Sequence, residues 1–347
     1  MRILGIETSC DETATSIIKV TSRGFEVERH LVSSQVDIHA KYGGVVPEVA
    51  ARQHTEAMIP ILQECFGRKF FEKDIDLIAV TQGPGLITSL LVGIETAKAL
   101  SFAWRKPILG VNHLEGHLYS SWLESEELEI SAKDIFPAIV LIVSGGHTEL
   151  LLMSDHGKYK KIGGTRDDAV GEAFDKVAKL LGLGYPGGPI ISERAVEGNP
   201  REIDFPRPML NTKNFDFSFS GLKTAVRYHV QDKKLRERDV NDITASFQEA
   251  VVDVLVQKSL RAVEKYQAKS LIMGGGVAAN KRLRKEMLVA ADRQGVKFFC
   301  PKMKYAGDNA TMIALAAYFR VRNLDKAKLN AMVDNWKKLE PDPNWEV

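Results

Sequence analysis

The chain has 347 residues, 44% of them hydrophobic and 27% charged, with a formal net charge of +2. That composition fits a globular protein long enough for two cores, and any nucleic acid would have to be held by local patches rather than by the global field. Three scattered cysteines (Cys10, Cys65, Cys300) give no disulfide framework, the N-terminus does not read as a signal peptide, and no apolar run approaches the roughly 18 residues that span a bilayer, so a cytoplasmic setting without a membrane is expected.

Residues 2–7 read as a short buried strand, followed by the polar turn Thr8-Ser9-Cys10-Asp11-Glu12-Thr13 and by strands over 14–20 and 25–33. Tyr42-Gly43-Gly44 leads to Pro47, which suits the first turn of a helix running to about Phe66. A strand over 75–81, the sharp turn Gly83-Pro84-Gly85, a helix over 86–104 and a strand over 107–111 come next. A helix then opens at His113 and ends near the acidic run 124–129.

The order then repeats. Strands are expected over 136–143, 148–153 and 158–162, and helices over 169–183, 220–229 and 242–266. A strand over 269–273, a helix over 280–294, a strand over 296–299 and a helix over 309–322 complete the copy. This predicts a duplicated α/β fold with ligand in the cleft between the copies. The first domain covers 1–133 and is completed by the helix over 309–323; the second covers 134–308 and carries a Gly-, Pro- and Asn-rich insertion over 184–219. The polar tail, 324–347 with Pro341 and Pro343, is expected to be partly mobile.

Three stretches carry chemistry. His113 and His117, four residues apart, share one helical face and can reach one ion, for which neutral imidazole suits zinc or iron; they could equally be two polar residues opening a surface helix. Asp308, between the last strand and the last helix, reads as a helix cap, the usual role of Asp there. In a duplicated fold it also falls at the cleft of His113, giving two imidazoles and a carboxylate, an open site for zinc or iron. The turn Ser144-Gly145-Gly146-His147-Thr148 is either an ordinary hairpin or a set of backbone N–H groups aimed at an anion. Gly274-Gly275-Gly276-Val277-Ala278-Ala279-Asn280 would suit a flat ring against glycine backbone and a phosphate or ribose near a helix start, but it is neither a dinucleotide fingerprint nor a P-loop.

These motifs, together with Tyr185-Pro-Gly-Gly-Pro189, Phe217-Ser-Phe-Ser-Gly-Leu-Lys223 and Ala306-Gly-Asp-Asn309, resemble the universal tRNA threonylcarbamoyladenosine transferase family, bacterial TsaD type, from about Arg2 to about Arg322. Ile142 and His147 resemble the bacterial and organellar branch, so no tyrosine metal ligand is expected. The resemblance implies the actin/Hsp70/sugar-kinase fold. It implies transfer of the threonylcarbamoyl group from threonylcarbamoyl-adenylate, an AMP-like donor made by a separate synthase, to N6 of the adenosine 3′ of the anticodon in tRNAs reading ANN codons. It implies His113, His117 and Asp308 as ligands of iron(II) or zinc, and Ile142, Val143, Ser144, Gly145, Gly146, Asp175, Gly188 and Asn280 as substrate contacts. Without it, Asp175 reads as part of a solvated helix face. Asp11 and Glu12 could orient the incoming amine. Partners would be tRNA, an inactive paralogue (TsaB) meeting the N-terminal half, and a small ATPase (TsaE).

Rival readings are a metalloprotease, a phosphotransferase of the same fold, and a nucleotide-binding scaffold without activity. Zincins need Glu directly after the first His, whereas Glu115 is two residues on, about 200° around the helix. Two basic runs, Lys281/Arg282/Arg284/Lys285 and Lys233/Lys234/Arg236/Arg238, are either RNA contacts or solvated faces.

Overall fold

Ile3, Leu4 and Ile6 are fully buried, and the apolar run they belong to forms β1 (Arg2–Glu7) at the centre of a sheet. The computed structural model describes residues 1–22, 24–123 and 132–347. β2 (Glu12–Thr21) and β3 (Gly24–Ser34) continue as an antiparallel meander. α1 (Val36–Ala40) and α2 (Pro47–Phe66) lead on to β4 (Leu77–Gly83), α3 (Ile87–Trp104), β5 (Ile108–Asn112) and α4 (His113–Tyr119). β4 pairs parallel with β1, and β5 parallel with β4, giving the order β3-β2-β1-β4-β5.

After α5 (Ala132–Ile135) the pattern recurs. β6 (Ala138–Val143), β7 (Thr148–Asp155) and β8 (Lys158–Gly164) form a meander, followed by α6 (Val170–Leu180), α7 (Gly187–Arg194), α8 (Ser220–Val230) and α9 (Glu237–Tyr266). Then come β9 (Ser270–Gly274), α10 (Lys281–Gln294) and β10 (Lys297–Phe299). The second sheet runs β10-β9-β6-β7-β8, the first sheet's order copied strand for strand with the same parallel and antiparallel pairings. The chain closes with α11 (Ala310–Val321) and α12 (Lys326–Ala331). It divides into two compact units, Met1–Glu129 with Gly307–Val347, and Ile130–Ala306, so Asp308 belongs to the same unit as His113 and His117. Each unit has its own core: Leu4, Ile6, Ile78, Val80 and Ile94 lie in one, Leu141, Val143, Phe174, Phe247 and Leu271 in the other. No helix among the described residues is long and apolar enough to cross a membrane.

The structure departs from the sequence reading in four places. α9 begins at Glu237 rather than Asp242, because Asp239 reaches back to accept from the Arg236 N–H (2.9 Å) and nucleates the helix before its apolar stripe begins. The insertion over 184–219 contains α7, whose first N–H, that of Gly187, donates to Asp175 Oδ1 at 2.7 Å. α4 gives way to a tighter turn at Ser120–Trp122; the acidic run 124–129 and Ser131, where a helix end and a domain boundary are expected, lie outside the described residues. The tail, read from composition as partly mobile, is tied down. Asp342 N–H donates to the Gln82 carbonyl and Gln82 Nε2 to the Glu340 carbonyl, both at 2.8 Å, and Asn112 Nδ2 donates to the Trp345 carbonyl at 3.0 Å.

Candidate metal centre

β5 ends at Asn112, whose side-chain oxygen accepts from the N–H groups of Leu114 (2.9 Å) and Glu115 (3.4 Å). This cap starts α4 at His113, at the carboxyl edge of the parallel strands. The four-residue spacing then brings the two imidazoles together, edge to face with centroids 4.6 Å apart, and both are buried. Asp308 arrives from the loop before α11. Asn309, rather than Asp308, caps that helix, its side-chain oxygen accepting from Met312 N–H at 3.0 Å. The cap reading of Asp308 is thereby corrected, and its carboxylate faces the histidines: Oδ1 lies 3.0 Å from His117 Nε2 and 3.5 Å from His113 Nε2.

Two glycines permit this approach. A Cβ on Gly116 would meet Ile313 Cδ1 at 2.9 Å and Met312 Cγ at 3.0 Å, and one on Gly5 would strike the Ala310 carbonyl. α4 and β1 therefore both lie close against the start of α11, the helix that follows Asp308. The ligand atoms of His113, His117 and Asp308 all fall within 4.8 Å of one another, the one such group of three His, Cys, Asp or Glu among the described residues. Both His117 ring nitrogens are buried without an aligned hydrogen-bond partner, so its 3.0 Å approach to Asp308 is an electrostatic contact only. An unpaired buried nitrogen costs about 1–3 kcal/mol, a deficit that a cation on its lone pair removes. Two imidazoles and one carboxylate are a donor set for zinc or iron(II). The residues fit a metal ion.

Behind His113 stands Glu7, fully buried at the end of β1. Its Oε2 lies 3.0 Å from His113 Nδ1 and accepts from Thr81 Oγ1 at 2.5 Å, while its Oε1 accepts from Ser9 N–H at 2.5 Å. Ser9 Oγ also lies 3.1 Å from His113 Nδ1. A carboxylate on Nδ1 fixes the tautomer that leaves Nε2 free to ligate. Burial opposes charge on His113, but Asp308 and Glu7 outweigh it and raise its pKa to about 10. Burial drives His117 down, against the pull of Asp308. Burial would raise Asp308, yet the two histidines hold it well below the usual carboxylate range.

Asp11 and Glu12 follow β1 in the polar turn. Burial, with Asp308 nearby, raises Asp11; burial, Asp11 and Asp308 together push Glu12 to about 8, although Ser34 Oγ donates to Glu12 Oε1 at 3.0 Å. His54 steadies the turn, with Nε2 3.0 Å from the Cys10 carbonyl and Nδ1 2.8 Å from Thr13 Oγ1. Glu115, the residue a protease would need as base, is buried and paired instead with Arg320 Nη2 at 2.6 Å, an ion pair rather than an aligned hydrogen bond.

In the second unit, Ile142 and Val143 are buried in β6, and the turn after it is held by Ser144 N–H donating to the His147 carbonyl at 2.8 Å. Gly145 and Gly146 are exposed, and a Cβ on either would meet open space. Gly171 packs on this turn, its N–H donating to the Ser144 carbonyl at 3.1 Å, and Gly275, at φ +94°, lies against the Val143 carbonyl. The two glycine loops are thus neighbours. Asp175 is not on a solvated face but caps the start of α7 through Gly187. Asn280 is committed three ways: its side-chain oxygen accepts from Leu283 N–H, and its Nδ2 donates to Ser192 Oγ and Gln248 Oε1. Sequence reasoning missed Glu7, Ser9, Thr81, His54 and Arg320. The only signal for Glu7 is an acid ending an apolar strand, and nothing in the sequence ties it to a histidine so far along the chain.

The duplicated sheets define an α/β protein of the actin/Hsp70/sugar-kinase class, and it carries a buried His–His–carboxylate group that could hold a metal ion. Solved structures agree on the fold. Component A of (R)-2-hydroxyglutaryl-CoA dehydratase from Acidaminococcus fermentans superposes with a TM-score of 0.53 at 14% identity over 93% of this chain and all of that one. HypF of T. kodakarensis gives 0.59 at 14% identity, over 92% of this chain and 47% of that one. The family model for TsaD, tRNA N6-adenosine threonylcarbamoyltransferase, matches residues 26–315. Proteins so named from Syntrophomonas wolfei (49% identical, over 94% of this chain and 95% of the relative) and Thermotoga neapolitana (46%, over the whole of both) are similar along its length. The chain belongs to the tRNA N6-adenosine threonylcarbamoyltransferase family and is a transferase that modifies tRNA.

Proposed function

We propose that the chain transfers the threonylcarbamoyl group from threonylcarbamoyl-adenylate to N6 of the adenosine 3′-adjacent to the anticodon in tRNAs reading ANN codons, with release of AMP. In this step the bond from N6 to the carbamoyl carbon forms, the bond from that carbon to the phosphate oxygen breaks, and N6 loses a proton. The observation that carries the reading is the convergence of His113, His117 and Asp308, with Glu7 behind His113. These three side chains would hold iron(II) or zinc, which when bound supplies Lewis-acid stabilisation of negative charge on oxygen.

An acyl-adenylate is already activated, so the residues mainly position it and stabilise developing oxyanion charge. The substrate contacts would be Ile142, Val143, Ser144, Gly145, Gly146, Asp175, Gly188 and Asn280. Among the described residues the N–H groups of Gly145 and Gly146 have no hydrogen-bond partner, which leaves both as donors for an anion. Asp175 and Asn280 would act by shaping their loops, since their side chains already serve Gly187, Leu283, Ser192 and Gln248. Asp11 and Glu12 would orient the incoming amine. The partners would be a TsaB-type paralogue, a TsaE-type ATPase and a threonylcarbamoyl-adenylate synthase, in the cytoplasm. A protease is disfavoured by Glu115, which is held by Arg320.

The test is transfer of labelled threonine from threonylcarbamoyl-adenylate to tRNA by the purified chain, alone and with partners. Alongside it, His113→Ala and Asp308→Ala should lose metal and tRNA modification together. A wild-type chain that leaves tRNA unmodified with every partner present would overturn the assignment.

A further inference from the structure

A tRNA-modifying enzyme must hold its polyanion somewhere, and the near-neutral total charge hides where. Residues 130–306 carry 29 Lys and Arg against 21 Asp and Glu, a net of +8; since the whole chain is +2, the remainder is −6. The positive field therefore belongs to the second unit. Some of its cations are already neutralised: Arg194 pairs with Glu237, Arg207 with Asp253, Arg236 with Asp239, Arg238 with Asp242 and Arg282 with Glu249. Arg284 is spent on the Ala278 and Pro301 carbonyls. In the basic run opening α10 both arginines are thus engaged within the fold, which leaves Lys281 and Lys285 as its only candidates for a phosphate among the four.

The end of α8 and the turn beyond it differ. The Arg227 and Lys234 side chains have no ion-pair or hydrogen-bond partner among the described residues, and Lys233 Nζ meets only His229 Nε2, at 3.4 Å. Between them Tyr228 stands 69% exposed, while Leu222 and Val226 anchor the opposite face of the helix in the core. Next to it opens a cavity of about 470 Å³ with Ile203, Leu235 and Ile243 as apolar walls and His229, Lys233 and Lys234 among its lining residues. Three carboxylates that border it are engaged, Glu202 with Asn199 Nδ2 at 3.1 Å, Asp239 with Arg236 and Asp242 with the Asn199 N–H at 2.7 Å. Available cations, an exposed aromatic ring and a cavity with apolar side chains in a polar wall are what an unstacked base and its flanking phosphates require.

The helix also connects this patch to the proposed substrate turn. Asp167 accepts from the Phe219 and Ser220 N–H groups at the start of α8, while the neighbouring Thr165 N–H donates to the Thr148 carbonyl just after the Ser144–His147 turn. From Ser220 the helix α8 then reaches about 12 Å to Tyr228.

We propose that Arg227, Tyr228, Lys233 and Lys234 form a docking surface for a single-stranded segment of the tRNA substrate, with the adjoining cavity receiving one unstacked base. This rests on the family's action on tRNA. The experiment measures tRNA binding over a salt series, and separately the KM and kcat of modification, for Lys233→Glu/Lys234→Glu and for Tyr228→Ala in the full chain with its partners. Metal content and thermal stability serve as controls for folding. Loss of two phosphate contacts should lower the slope of log K against log salt by about 1.4. Tyr228→Ala should weaken binding by about 5- to 100-fold without changing that slope, as loss of stacking does. Both variants should raise KM for tRNA and spare kcat.

Unchanged affinity, slope and KM in both variants would overturn the surface. So would retention of tRNA binding with loss of an acidic protein partner, or a Tyr228→Ala effect equally large on heparin, which has no bases. Binding is read apart from turnover. A wild-type chain that binds tRNA without modifying it counts against the catalytic reading and leaves the docking comparison intact.

Discussion

Glu7→Gln is the sharpest test of the proposed metal centre. The carboxylate takes hydrogen bonds on both oxygens, from Ser9 N–H on one and from Thr81 Oγ1 and His113 on the other. A carboxamide cannot serve both sides. With its oxygen toward Thr81 and His113, its NH2 group faces the Ser9 N–H, donor against donor. Turned over, it donates to His113 Nδ1, which then becomes the acceptor and moves the imidazole proton to Nε2, whose lone pair the proposed metal would need. Loss of such a partner commonly costs 10- to 100-fold in metal affinity, about 1.4–2.7 kcal/mol. Competition against a chromophoric chelator should show that loss. The stabilisation gained on adding metal should shrink by the same energy, since it follows RT ln(1 + [L]/Kd). Affinity within twofold of wild type, with metal-free and metal-loaded protein destabilised equally, would show that Glu7 is only structural and refute the reasoning.

Glu115→Gln should keep the metal and tRNA modification while losing about 1–3 kcal/mol in denaturant unfolding, because it removes the buried carboxylate charge that faces Arg320; a metal-replete but inactive variant would revive the protease reading. Truncation after Lys338 removes buried Leu339 and the bonds to Gln82 and Asn112, so unfolding free energy should fall by about 2–5 kcal/mol; because Asn112 keeps its cap on α4, metal affinity should change far less than in Glu7→Gln, and an equal loss would count against that separation. Lys258 is fully buried beside Thr212 Oγ1 and the Asn214 carbonyl, and burial, aided by Arg261, lowers its pKa to about 8. The unfolded chain therefore holds more protons between pH 8 and 10.5, and stability should rise with pH across that window by at most about 3 kcal/mol. Lys258→Met should flatten the rise in chemical denaturation at pH 8 and 10; a slope that survives would refute the assignment.

The duplication was legible because burial on both faces of a parallel sheet leaves continuous apolar runs, such as the one ending at Val143, that survive in any single sequence. The histidine pair was legible because its partners are four residues apart on one helix. What escaped depends on distance or on polar detail. Glu7 and Arg320 act across the fold on residues far away in the chain. α7 hides in glycine and proline because its start is set by Asp175, on another helix. Asp308 and Asn309 look interchangeable as caps, and only the three-dimensional path of the loop shows which of them bonds Met312 and which turns to the histidines.

Neighbours at 14% identity share the architecture, so the architecture does not specify this chemistry. The specification lies in a few residues that the sheets do not need. A glycine at position 116 brings α4 against α11, an asparagine at 112 starts the helix one residue before the first imidazole, and a second asparagine at 309 releases Asp308 from capping duty. The whole of Ile130–Ala306 lies between the histidines and Asp308 in the chain. An ion held by all three would close a very long loop, and the entropy of that closure grows only logarithmically with length, so the large insertion adds little to the cost of assembling the site. A second unit could therefore be inserted between these three side chains at small energetic penalty, provided that β1 and α4 kept their glycine-lined contacts with α11.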